Sequence, residues 1–478
     1  MSSPQVITLG CRLNLAESDT IARLLGGSDL VVVNSCAVTQ EAVRNTRQAI
    51  RRVHRDRPDA RIVVTGCAAQ IDPAGFEDMA EVERVIPNAS KLSLECYSQS
   101  VRAEPVEALL SFVSGQEEKG GLRQAQAERS GGNSAVDPEA APEAAPHLVT
   151  SSNFRTRAFV AVQNGCDHRC TFCIIPYGRG PSRSVPAGLI IDGIKRLVDE
   201  GCAEIVLTGV DVTSYGPDLP GAPSLGLLVE RILRHVPALR RLRLSSLDSV
   251  EIDDRLADII TGEPRFMPHL HMSFQAGDDM ILKRMKRRHS RAQAIETVQR
   301  IKAARPDVAI GADLIAGFPT ETDEMHENSL SLIDECDIVM GHIFPYSPRP
   351  GTPAARMPQV AGPIIKARAG ALREACARRR ASWLQGLVGT TQNVLFERGG
   401  LGHAENFAPV RVAPDMATLQ SSSRRTPGAK NTDPSNEEPT SAPRSPATEF
   451  LDPGFRRDDV ASVRITGTAG DHLVGSPA

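Results

Sequence analysis

Apolar and polar positions alternate with two different periods along the chain, and the pattern divides it into three ordered blocks. In the first block, which ends near Cys96, the apolar runs are QVITLG, DLVVVNS, RIVVTG and VERVIP, with helical spacing between them. Short apolar runs separated by amphipathic helices predict a small parallel α/β sheet. Functional side chains are therefore expected at the carboxyl ends of these strands.

The second block, from about Asn153 to Gly386, repeats the strand and helix alternation. Its apolar runs are AFVAVQNG, EIVLTGV, RLRLSSL, HLHMSFQ, VAIGADLIAGFP and IVMGHIFPYS. These units predict a full or partial β/α barrel, with an active site at the carboxyl ends of its strands. In the third block, from residue 387, short alternating stretches predict one small β-barrel. The predicted fold class is α/β with a small C-terminal barrel.

Two stretches lack the pattern of a folded core. Residues 97–152 are rich in Ala, Gly, Pro and Glu, and residues from about 415 to 460 also lack a sustained apolar period. Such compositions bury too little apolar surface to offset the entropy of ordering. We expect two disordered insertions, which leave an N-terminal domain at 1–96, a central domain at 153–386 and a C-terminal barrel at 387–478 that the second insertion interrupts.

Composition favours a reduced, cytosolic protein. The 478 residues have a formal net charge of −3, so any RNA-binding surface must be local. The N-terminus MSSPQVITLG has no signal-peptide pattern. No stretch reaches the roughly 18 apolar residues of a membrane span. We expect a cytoplasmic protein with no membrane partner, whose ten cysteines are thiols rather than disulfides.

Three cysteines lie close together in the segment GCDHRCTFC, at Cys166, Cys170 and Cys173. A structural zinc site is normally closed by four ligands, and here His168 is the nearby candidate for the fourth. Three closely spaced thiolates suit a cubane iron–sulfur cluster that leaves one iron open for a substrate or cofactor. The spacing favours the iron–sulfur cluster, with zinc as the alternative.

Three further cysteines each follow a predicted strand of the first block. Cys11 follows TLG, Cys36 follows VVNS and Cys67 follows VVTG, so the three thiols would converge at one sheet edge. Free cysteine is often simply a small buried residue. Placement at three equivalent strand ends instead favours a second three-thiolate cluster. Asn14 and Asn34 could hydrogen-bond to sulfur or backbone there, or cap the following helices.

Polar residues also follow the predicted barrel strands, where they would line the mouth of the barrel. Each alone could be a turn or a helix cap, but together they form a candidate cofactor pocket. These residues are Asp211, Ser245, Ser246, Gln275, Asp313, the GFP turn at 317–319, and Tyr346. The remaining thiols and three histidines are expected to be structural rather than metal ligands: Cys96, Cys202, Cys336, Cys376, His269, His271 and His342.

A run of basic residues marks the helix predicted at the end of the second block. A solvated helix face is the alternative explanation for such a run. A small barrel beside a basic helix could instead bind RNA through its phosphates. The basic residues are Lys366, Arg368, Arg373, Arg378, Arg379 and Arg380.

The segment GCDHRCTFCIIPYGRGPSRS resembles the signature of the methylthiotransferases, a branch of the radical S-adenosylmethionine (SAM) enzymes. The resemblance extends to GFPTET and FPYSPRPGT, to the N-terminal three-cysteine domain and to a C-terminal RNA-binding barrel called TRAM. It implies two 4Fe-4S clusters and SAM as cofactors. The implied ligands are Cys166, Cys170 and Cys173 for the radical cluster, and Cys11, Cys36 and Cys67 for the auxiliary cluster.

The resemblance implies a reaction in two stages. One SAM methylates a sulfur held at the auxiliary cluster, and a second SAM is cleaved reductively at the radical cluster. The resulting 5'-deoxyadenosyl radical removes hydrogen from an unactivated carbon, which then receives methylthio. A fourth cysteine would occupy the iron that binds SAM, so three ligands are a requirement of this chemistry. No acid–base residue is assigned.

Two segments, TLGCRLNLAES and GGLGHAENFAPVRV, resemble the branch that acts on carbon 2 of N6-threonylcarbamoyladenosine beside the tRNA anticodon. The alternatives are isopentenyladenosine in tRNA, an aspartate of a ribosomal protein, another radical SAM reaction, or a non-enzymatic iron–sulfur RNA-binding module. The expected partners are the tRNA anticodon stem–loop and an electron donor of the flavodoxin or ferredoxin type. The expected state is a monomer.

Overall fold

The structure is a computed structural model, and it describes residues 5–26, 28–98, 149–150, 156–398, 400–412 and 460–478. These residues form two compact units. The first contains the described residues up to Ser98 together with Ile174–Pro181, and the second contains the others. Most of the two predicted insertions lies outside the described residues, so their disorder stays a prediction. No helix in the described ranges is long and apolar enough to cross a membrane.

The first unit is a parallel four-stranded sheet with helices between the strands, as the apolar pattern predicts. Its strands are β1 Gln5–Thr8, β2 Val31–Ser35, β3 Ile62–Gly66 and β4 Arg84–Val85. Its helices are α1 Arg12–Leu24, α2 Gln40–Asp56, α3 Cys67–Ile71, α4 Pro73–Glu77, α5 Glu95–Ser98 and α6 Ile175–Arg179. The sheet order β1-β2-β3-β4 follows the chain, and every neighbouring pair is parallel.

Strands β2 and β3 are completely buried because both faces of the sheet are covered. Val31 and Val33 pack into one apolar core with Phe76, whereas Val32 packs into another core with Ile21. Continuous valine-rich strands are typical of a parallel sheet between two helical layers. The two cores fix the carboxyl ends of the strands, where the cysteines lie.

Helix α6 belongs to this first unit, although the sequence analysis assigned residues 153–386 to one central domain. A Cβ atom at Gly178 would lie 3.3 Å from Cys67 Cβ, so α6 packs closely against the start of α3. The apolar pattern did not reveal this placement because a five-residue helix is too short to show a helical period.

The second unit starts with an incomplete β/α barrel. Its strands are β5 Val149–Thr150, β6 Arg157–Ala161, β7 Gln163–Asn164, β8 Arg183–Ser184, β9 Glu204–Thr208, β10 Arg241–Leu244, β11 Ser246–Leu247, β12 His269–Gln275, β13 Ala309–Ala316 and β14 Ile338–Pro345. Two four-stranded sheets have the orders β10-β9-β6-β5 and β11-β12-β13-β14, and the chain passes between them at Ser245. Their apolar residues share one core. The predicted partial barrel is confirmed.

The helices of the second unit alternate with the strands and cover this core. They are α7 Ala187–Asp199, α8 Leu225–His235, α9 Asp254–Gly262, α10 Asp279–Met285, α11 Arg291–Ala304, α12 Asp323–Glu335 and α13 Gly362–Gly386. A small closed barrel follows, with strands β15 Thr391–Arg398, β16 Leu401–Ala404, β17 Pro409–Val412, β18 Val460–Ala469 and β19 His472–Pro477. This closed barrel confirms the predicted C-terminal β-barrel.

A buried ionic network joins the β/α barrel to the closed barrel. Glu204 is fully buried, pairs with Arg157, and lies 2.9 Å from Arg243 Nε through Oε2. Arg157 Nη1 also lies 2.9 Å from Glu397 in β15, and Arg243 Nη1 donates a 2.8 Å hydrogen bond to the carbonyl of Glu405. The same two arginines therefore neutralise Glu204 and hold the closed barrel in place.

We expect Glu204→Gln to lower the free energy of unfolding by about 3–5 kcal/mol at neutral pH, because the buried Arg243 loses its counter-charge and Arg157 keeps only Glu397. Burial alone would raise the pKa of Glu204, but Arg243 and Arg157 hold it at about 2. The folded pKa is depressed, so this stabilisation is present above the unfolded pKa of about 4.3. It is lost as the pH falls toward about 2.

Denaturant unfolding at a series of pH values tests this expectation. The matched control is Glu230→Gln, since Glu230 pairs with Arg255 while both side chains are 49% exposed. An exposed pair of this kind contributes less than about 1 kcal/mol. Equal losses of stability in the two variants, or an unchanged acid dependence in Glu204→Gln, would show that the Glu204 network does not stabilise the unit.

Candidate active site and cysteine clusters

Cys11, Cys36 and Cys67 lie at one edge of the first sheet, where the predicted auxiliary cluster would be. Cys11 precedes α1, Cys36 follows β2, and Cys67 begins α3 directly after β3. Cys36 and Cys67 are buried, whereas Cys11 is exposed. The sheet topology thus brings together three thiols that are separated in sequence.

Two glycines allow these cysteine loops to approach each other closely. Gly10 and Gly66 both have φ of +96°, a conformation that L side chains rarely adopt. A Cβ atom at Gly10 would lie 2.7 Å from Cys36 Sγ, and one at Gly66 would lie 2.4 Å from the carbonyl oxygen of Ser35. The loops can converge only because these positions have no side chain.

The three thiols fit an iron–sulfur cluster chemically. Burial raises the pKa of Cys36 to about 11, and the neighbouring charges of Cys67 and Cys11 raise it as well. Metal binding displaces the protons of such thiols. The thiolates would repel one another without the metal, and each is attracted to the bound cation. A set of soft sulfur donors suits iron–sulfur chemistry.

We expect Gly10→Ala to lose most of the iron bound at this edge, because the added methyl group would clash with Cys36 Sγ at 2.7 Å and strain the backbone. Iron analysis after anaerobic reconstitution measures the loss. The control is Gly26→Ala, since an added Cβ at Gly26 approaches only the carbonyl oxygen of Arg23, at 3.6 Å. Wild-type iron content in Gly10→Ala would contradict a cluster at these thiols.

Cys166, Cys170 and Cys173 lie in the loop after β7, and all three are partly buried. Burial raises the pKa of Cys166, and the charges of Asp211, Cys173 and Cys170 act in the same direction, so the three thiols are electrostatic neighbours. Arg287 Nη1 lies 3.9 Å from Cys170 Sγ. A guanidinium beside this thiol set favours an anionic cluster.

His168 faces two carboxylates, and the ligand atoms of these three residues all lie within 4.8 Å of one another. Its Nε2 atom lies 2.9 Å from Asp211 Oδ2 and 3.8 Å from Glu251 Oε1. Hydrogen bonds to Asp211 and Glu251 raise its pKa to about 10, so the imidazole is protonated at neutral pH. The described contacts of His168 are therefore with carboxylates, and zinc stays the alternative to an iron–sulfur cluster at the three thiols.

The residues predicted for the cofactor pocket include Asp211, Ser246, Gln275, Tyr346 and Asp313, and the first four lie at or just after the carboxyl ends of barrel strands. Asp211 follows β9, Ser246 follows the end of β10 at Leu244, Gln275 ends β12 with φ of +68°, and Tyr346 follows β14. Among the residues that the structure describes, the buried Tyr346 hydroxyl has no hydrogen-bond partner. An orphaned hydroxyl at the mouth of the barrel fits a polar ligand such as SAM.

The fifth residue, Asp313, lies within β13 rather than beyond its end, because the strand continues to Ala316. Its Oδ1 atom is 2.9 Å from His271 Nε2 and 3.3 Å from His342 Nδ1. Burial alone would raise the pKa of Asp313, but the two histidines hold it low. Asp313 therefore points into a polar barrel interior, and its first partners are imidazoles.

The sequence analysis did not predict this cluster of His271, Asp313 and His342, because it considered the histidines one at a time. The strands bring them together: β12, β13 and β14 are parallel neighbours, and Asp313 is in register with His342. Their ligand atoms all lie within 4.8 Å of one another. Aligning the three predicted strands and comparing the residues on one face could have found it.

A cavity of about 530 Å³ opens between β14, α13 and the closed barrel. Its walls include His342, Arg373, Arg380, Phe407 and Asp471. Arg373 donates to the carbonyl of Ile343 at 3.2 Å, and Arg380 donates to the carbonyl of Asp471 at 3.0 Å. Two guanidinium groups against one carboxylate make the cavity suitable for an anionic group.

Two of the six basic residues predicted to bind RNA pair with carboxylates outside α13. Arg368 is buried and lies 2.9 Å from Glu321 and 2.7 Å from Asp323. Arg379 pairs with Asp337. This corrects the prediction, because Arg368 holds α13 against α12 and cannot reach a phosphate. The partners lie far away in sequence, so the pattern of charges on the helix did not reveal them.

The other four residues of α13 differ in exposure. Lys366, Arg373 and Arg378 are exposed, and Arg378 forms an i,i+4 pair with Glu374. Arg380 is half-buried in the cavity wall. The surface that could meet RNA phosphates is therefore smaller than the sequence suggested.

All ten cysteines lie in the described part of the chain, and none forms a disulfide. Of the four thiols expected to be ordinary, Cys202, Cys336 and Cys376 are buried and Cys96 is partly buried. His269 stacks on Phe407 of the closed barrel, with ring centroids 5.0 Å apart.

Comparison with known proteins identifies relatives of both units. Residues 160–333 match the Radical SAM superfamily, and residues 4–87 match a family described as Uncharacterized protein family UPF0004. The Threonylcarbamoyladenosine tRNA methylthiotransferase MtaB of Rickettsia prowazekii (strain Madrid E) is 46% identical over 87% of this chain and 93% of its own length.

The tRNA-2-methylthio-N(6)-dimethylallyladenosine synthase of Erythrobacter litoralis (strain HTCC2594) is 32% identical over 83% of this chain and 86% of its own length. Among solved structures, the radical S-adenosylmethionine methyltransferase TsrM from Kitasatospora setae is 16% identical with a TM-score of 0.46. That match covers 74% of each chain.

Proposed function

The chain belongs to the tRNA methylthiotransferases of the radical SAM superfamily, and we propose that it adds methylthio to carbon 2 of N6-threonylcarbamoyladenosine beside the tRNA anticodon. The observation that carries the choice of substrate is the 46% identity to the relative named for threonylcarbamoyladenosine, against 32% to the relative named for dimethylallyladenosine. Isopentenyladenosine and a ribosomal-protein aspartate are the competing substrates.

Membership of the radical SAM superfamily brings SAM and one 4Fe-4S cluster. We assign that cluster to Cys166, Cys170 and Cys173, and its bound SAM to Asp211, Ser246, Gln275 and Tyr346. A second, auxiliary 4Fe-4S cluster at Cys11, Cys36 and Cys67 is part of the proposal. When bound, these groups supply the radical that removes hydrogen and the methylthio that replaces it.

The chain's own residues hold these groups and balance their charge. Arg287 is fixed by Asp248 at 2.9 Å and by the carbonyl of Ser273 at 2.8 Å, so its guanidinium stays beside Cys170. Asp211 keeps His168 oriented and protonated. The barrel strands that carry these residues pack their apolar side chains into one core.

The substrate group offers a further reason to prefer this branch. A threonylcarbamoyl group ends in a carboxylate, whereas an isopentenyl group is uncharged. We place the carboxylate in the cavity beside Arg373 and Arg380, which carry the positive charge that it needs. An uncharged group would leave the two guanidinium groups without an anionic partner in the substrate.

A competition assay tests the proposed substrate. Reconstituted protein receives two anticodon stem–loops, one with N6-threonylcarbamoyladenosine and one with isopentenyladenosine, together with SAM and a reductant. We expect product from the first stem–loop only, and a lower kcat/KM for it in Arg380→Gln. Product from the isopentenyl stem–loop alone would reassign the branch.

Lys366 and Arg378 are the exposed basic residues of α13 outside the cavity, and we propose that they contact RNA phosphates, helped by the TRAM-like closed barrel. Arg373 is assigned to the cavity instead. Replacing Lys366 and Arg378 with Gln should weaken stem–loop binding and reduce the slope of log affinity against log salt by roughly one unit per lost contact. The iron content should stay unchanged. The measurement is a binding titration at several salt concentrations.

The control for this titration is Arg255→Gln, which removes an exposed arginine from α9. An equal change in the control would show that the basic face of α13 has no specific role. The proposal also places the protein in the cytoplasm as a monomer, with electrons supplied by a flavodoxin- or ferredoxin-type donor.

A further inference from the structure

A second set of charged residues is buried beside the auxiliary cysteines, and none of them is a cluster ligand. Arg179, Glu17 and Lys91 each have side chains that are 2% exposed. Arg179 donates two hydrogen bonds to Glu17, from Nη1 to Oε1 at 2.8 Å and from Nη2 to Oε2 at 3.0 Å. Lys91 Nζ lies 2.6 Å from Glu17 Oε2. Lys91 also donates to Asn88 at 2.9 Å. All of these residues lie in the first unit.

The side-chain amide of Asn14 connects this network to the loops that carry Cys11 and Cys36. Arg179 Nη2 donates to Asn14 Oδ1, and that oxygen lies 3.9 Å from Cys11 Sγ. Asn14 Nδ2 donates to the carbonyls of Leu9 at 2.7 Å and Ser35 at 3.0 Å. Because Ser35 directly precedes Cys36, the guanidinium orients an amide that ties the loops of Cys11 and Cys36 together.

The third cysteine adjoins the helix that carries Arg179. Gly178 packs against Cys67, with 3.3 Å between its hypothetical Cβ and Cys67 Cβ. Burial opposes both positive charges: it lowers the pKa of Lys91, whereas the charges of Cys67, Glu17 and Cys11 outweigh it and raise the pKa of Arg179. The network and the three sulfur atoms therefore share one electrostatic environment.

With Lys91 protonated by its contact with Glu17, two cations face one carboxylate, which leaves one positive charge in excess within this network. A buried charge without compensation is costly, so the excess requires a nearby anion. A 4Fe-4S cluster held by three thiolates carries net negative charge and lies where that anion is needed. The positive charge that balances this cluster is carried by Arg179 and Lys91, which are not iron ligands.

We infer that Arg179 is the positioning and charge-compensating residue of the auxiliary cluster, with Lys91 as its partner and Glu17 as the carboxylate that holds both in place. This inference rests on the proposed auxiliary cluster. A positive charge beside an iron–sulfur cluster stabilises its reduced, more negative state and raises its reduction potential. Arg179 thereby sets the potential of the cluster as well as its retention.

The test uses the full chain in a background of Cys166→Ala, Cys170→Ala and Cys173→Ala, so that any cluster signal comes from the auxiliary site. In that background we compare Arg179→Met, Glu17→Gln and Arg179→Lys. A dye-mediated redox titration followed by electron paramagnetic resonance gives the midpoint potential. Iron analysis gives the retention of the cluster.

Arg179→Met should shift the potential to more negative values and lower the iron content. Glu17→Gln should shift the potential in the opposite direction, because it removes a negative charge. Arg179→Lys should restore most of the potential, since it keeps the charge. The surface control Arg47→Met, whose side chain is 37% exposed in the wild type, should leave the potential unchanged.

Opposite shifts in Arg179→Met and Glu17→Gln are the signature of an electrostatic role, which a packing defect would not produce. Shifts in the same direction, or none, with iron still bound would overturn the inference while leaving the auxiliary cluster in place. Absence of iron from the background protein itself would instead overturn the proposed cluster. If Arg179→Met does not fold, Lys91→Met takes its place, and we expect it to shift the midpoint potential in the same, more negative direction.

Discussion

Replacing Cys166, Cys170 and Cys173 together with Ala is expected to remove about four irons per chain and to abolish reductive cleavage of SAM. The three thiols lie in one loop and interact electrostatically. In the part of the chain that the structure describes, the nearby His168 faces Asp211 and Glu251. Anaerobic reconstitution, iron analysis and detection of 5'-deoxyadenosine give the result.

The matched control replaces Cys202, Cys336 and Cys376, which are buried thiols of the same unit outside the proposed site. It removes the same number of sulfur atoms and should keep all of the iron. If the control lost as much iron as the first variant, the loss would reflect general unfolding. Retention of SAM cleavage in the first variant would exclude these three cysteines as ligands.

Replacing Cys11, Cys36 and Cys67 with Ala is expected to separate the two halves of the reaction. Each of the two proposed clusters holds about four irons, so about four should be lost and about four should remain. SAM cleavage should continue without product, because the sulfur that the auxiliary site holds is missing. The measurement combines 5'-deoxyadenosine with the methylthio product in one reaction mixture.

Full product formation in this second triple variant would show that the edge of the first sheet has no role in sulfur transfer. Loss of SAM cleavage together with product would contradict separate functions for the two cysteine sets. The buried triplet variant of Cys202, Cys336 and Cys376 serves again as control, since it should retain both activities.

The parallel sheet of the first unit and the partial barrel could be predicted from the sequence because their signals are local. Valine-rich runs such as VVVNS and IVVTG are continuous where both faces of a strand are buried. The convergence of the three cysteines could also be predicted, because the carboxyl ends of parallel strands lie at one edge of a sheet. Gly10 and Gly66 were not singled out, since their close contacts involve residues distant in sequence.

Contacts between distant residues account for what the sequence did not reveal. Arg368 belongs to a run of basic residues that is typical of an exposed helix face. In the structure it is buried and pairs with Glu321 and Asp323, at the start of α12. Arg179 belongs to a conspicuous basic segment, but its role depends on Glu17, which lies 162 residues earlier. Charge patterns along one element cannot show which charges another element neutralises.

Mass spectrometry of tRNA nucleosides is the most direct test of the central claim. The protein is supplied to a host that makes N6-threonylcarbamoyladenosine but lacks its 2-methylthio derivative. We expect this derivative to appear with the wild-type protein and to be absent with either cysteine triple variant at the proposed cluster sites. A methylthio product on isopentenyladenosine alone, or on a ribosomal protein, would contradict the assigned substrate.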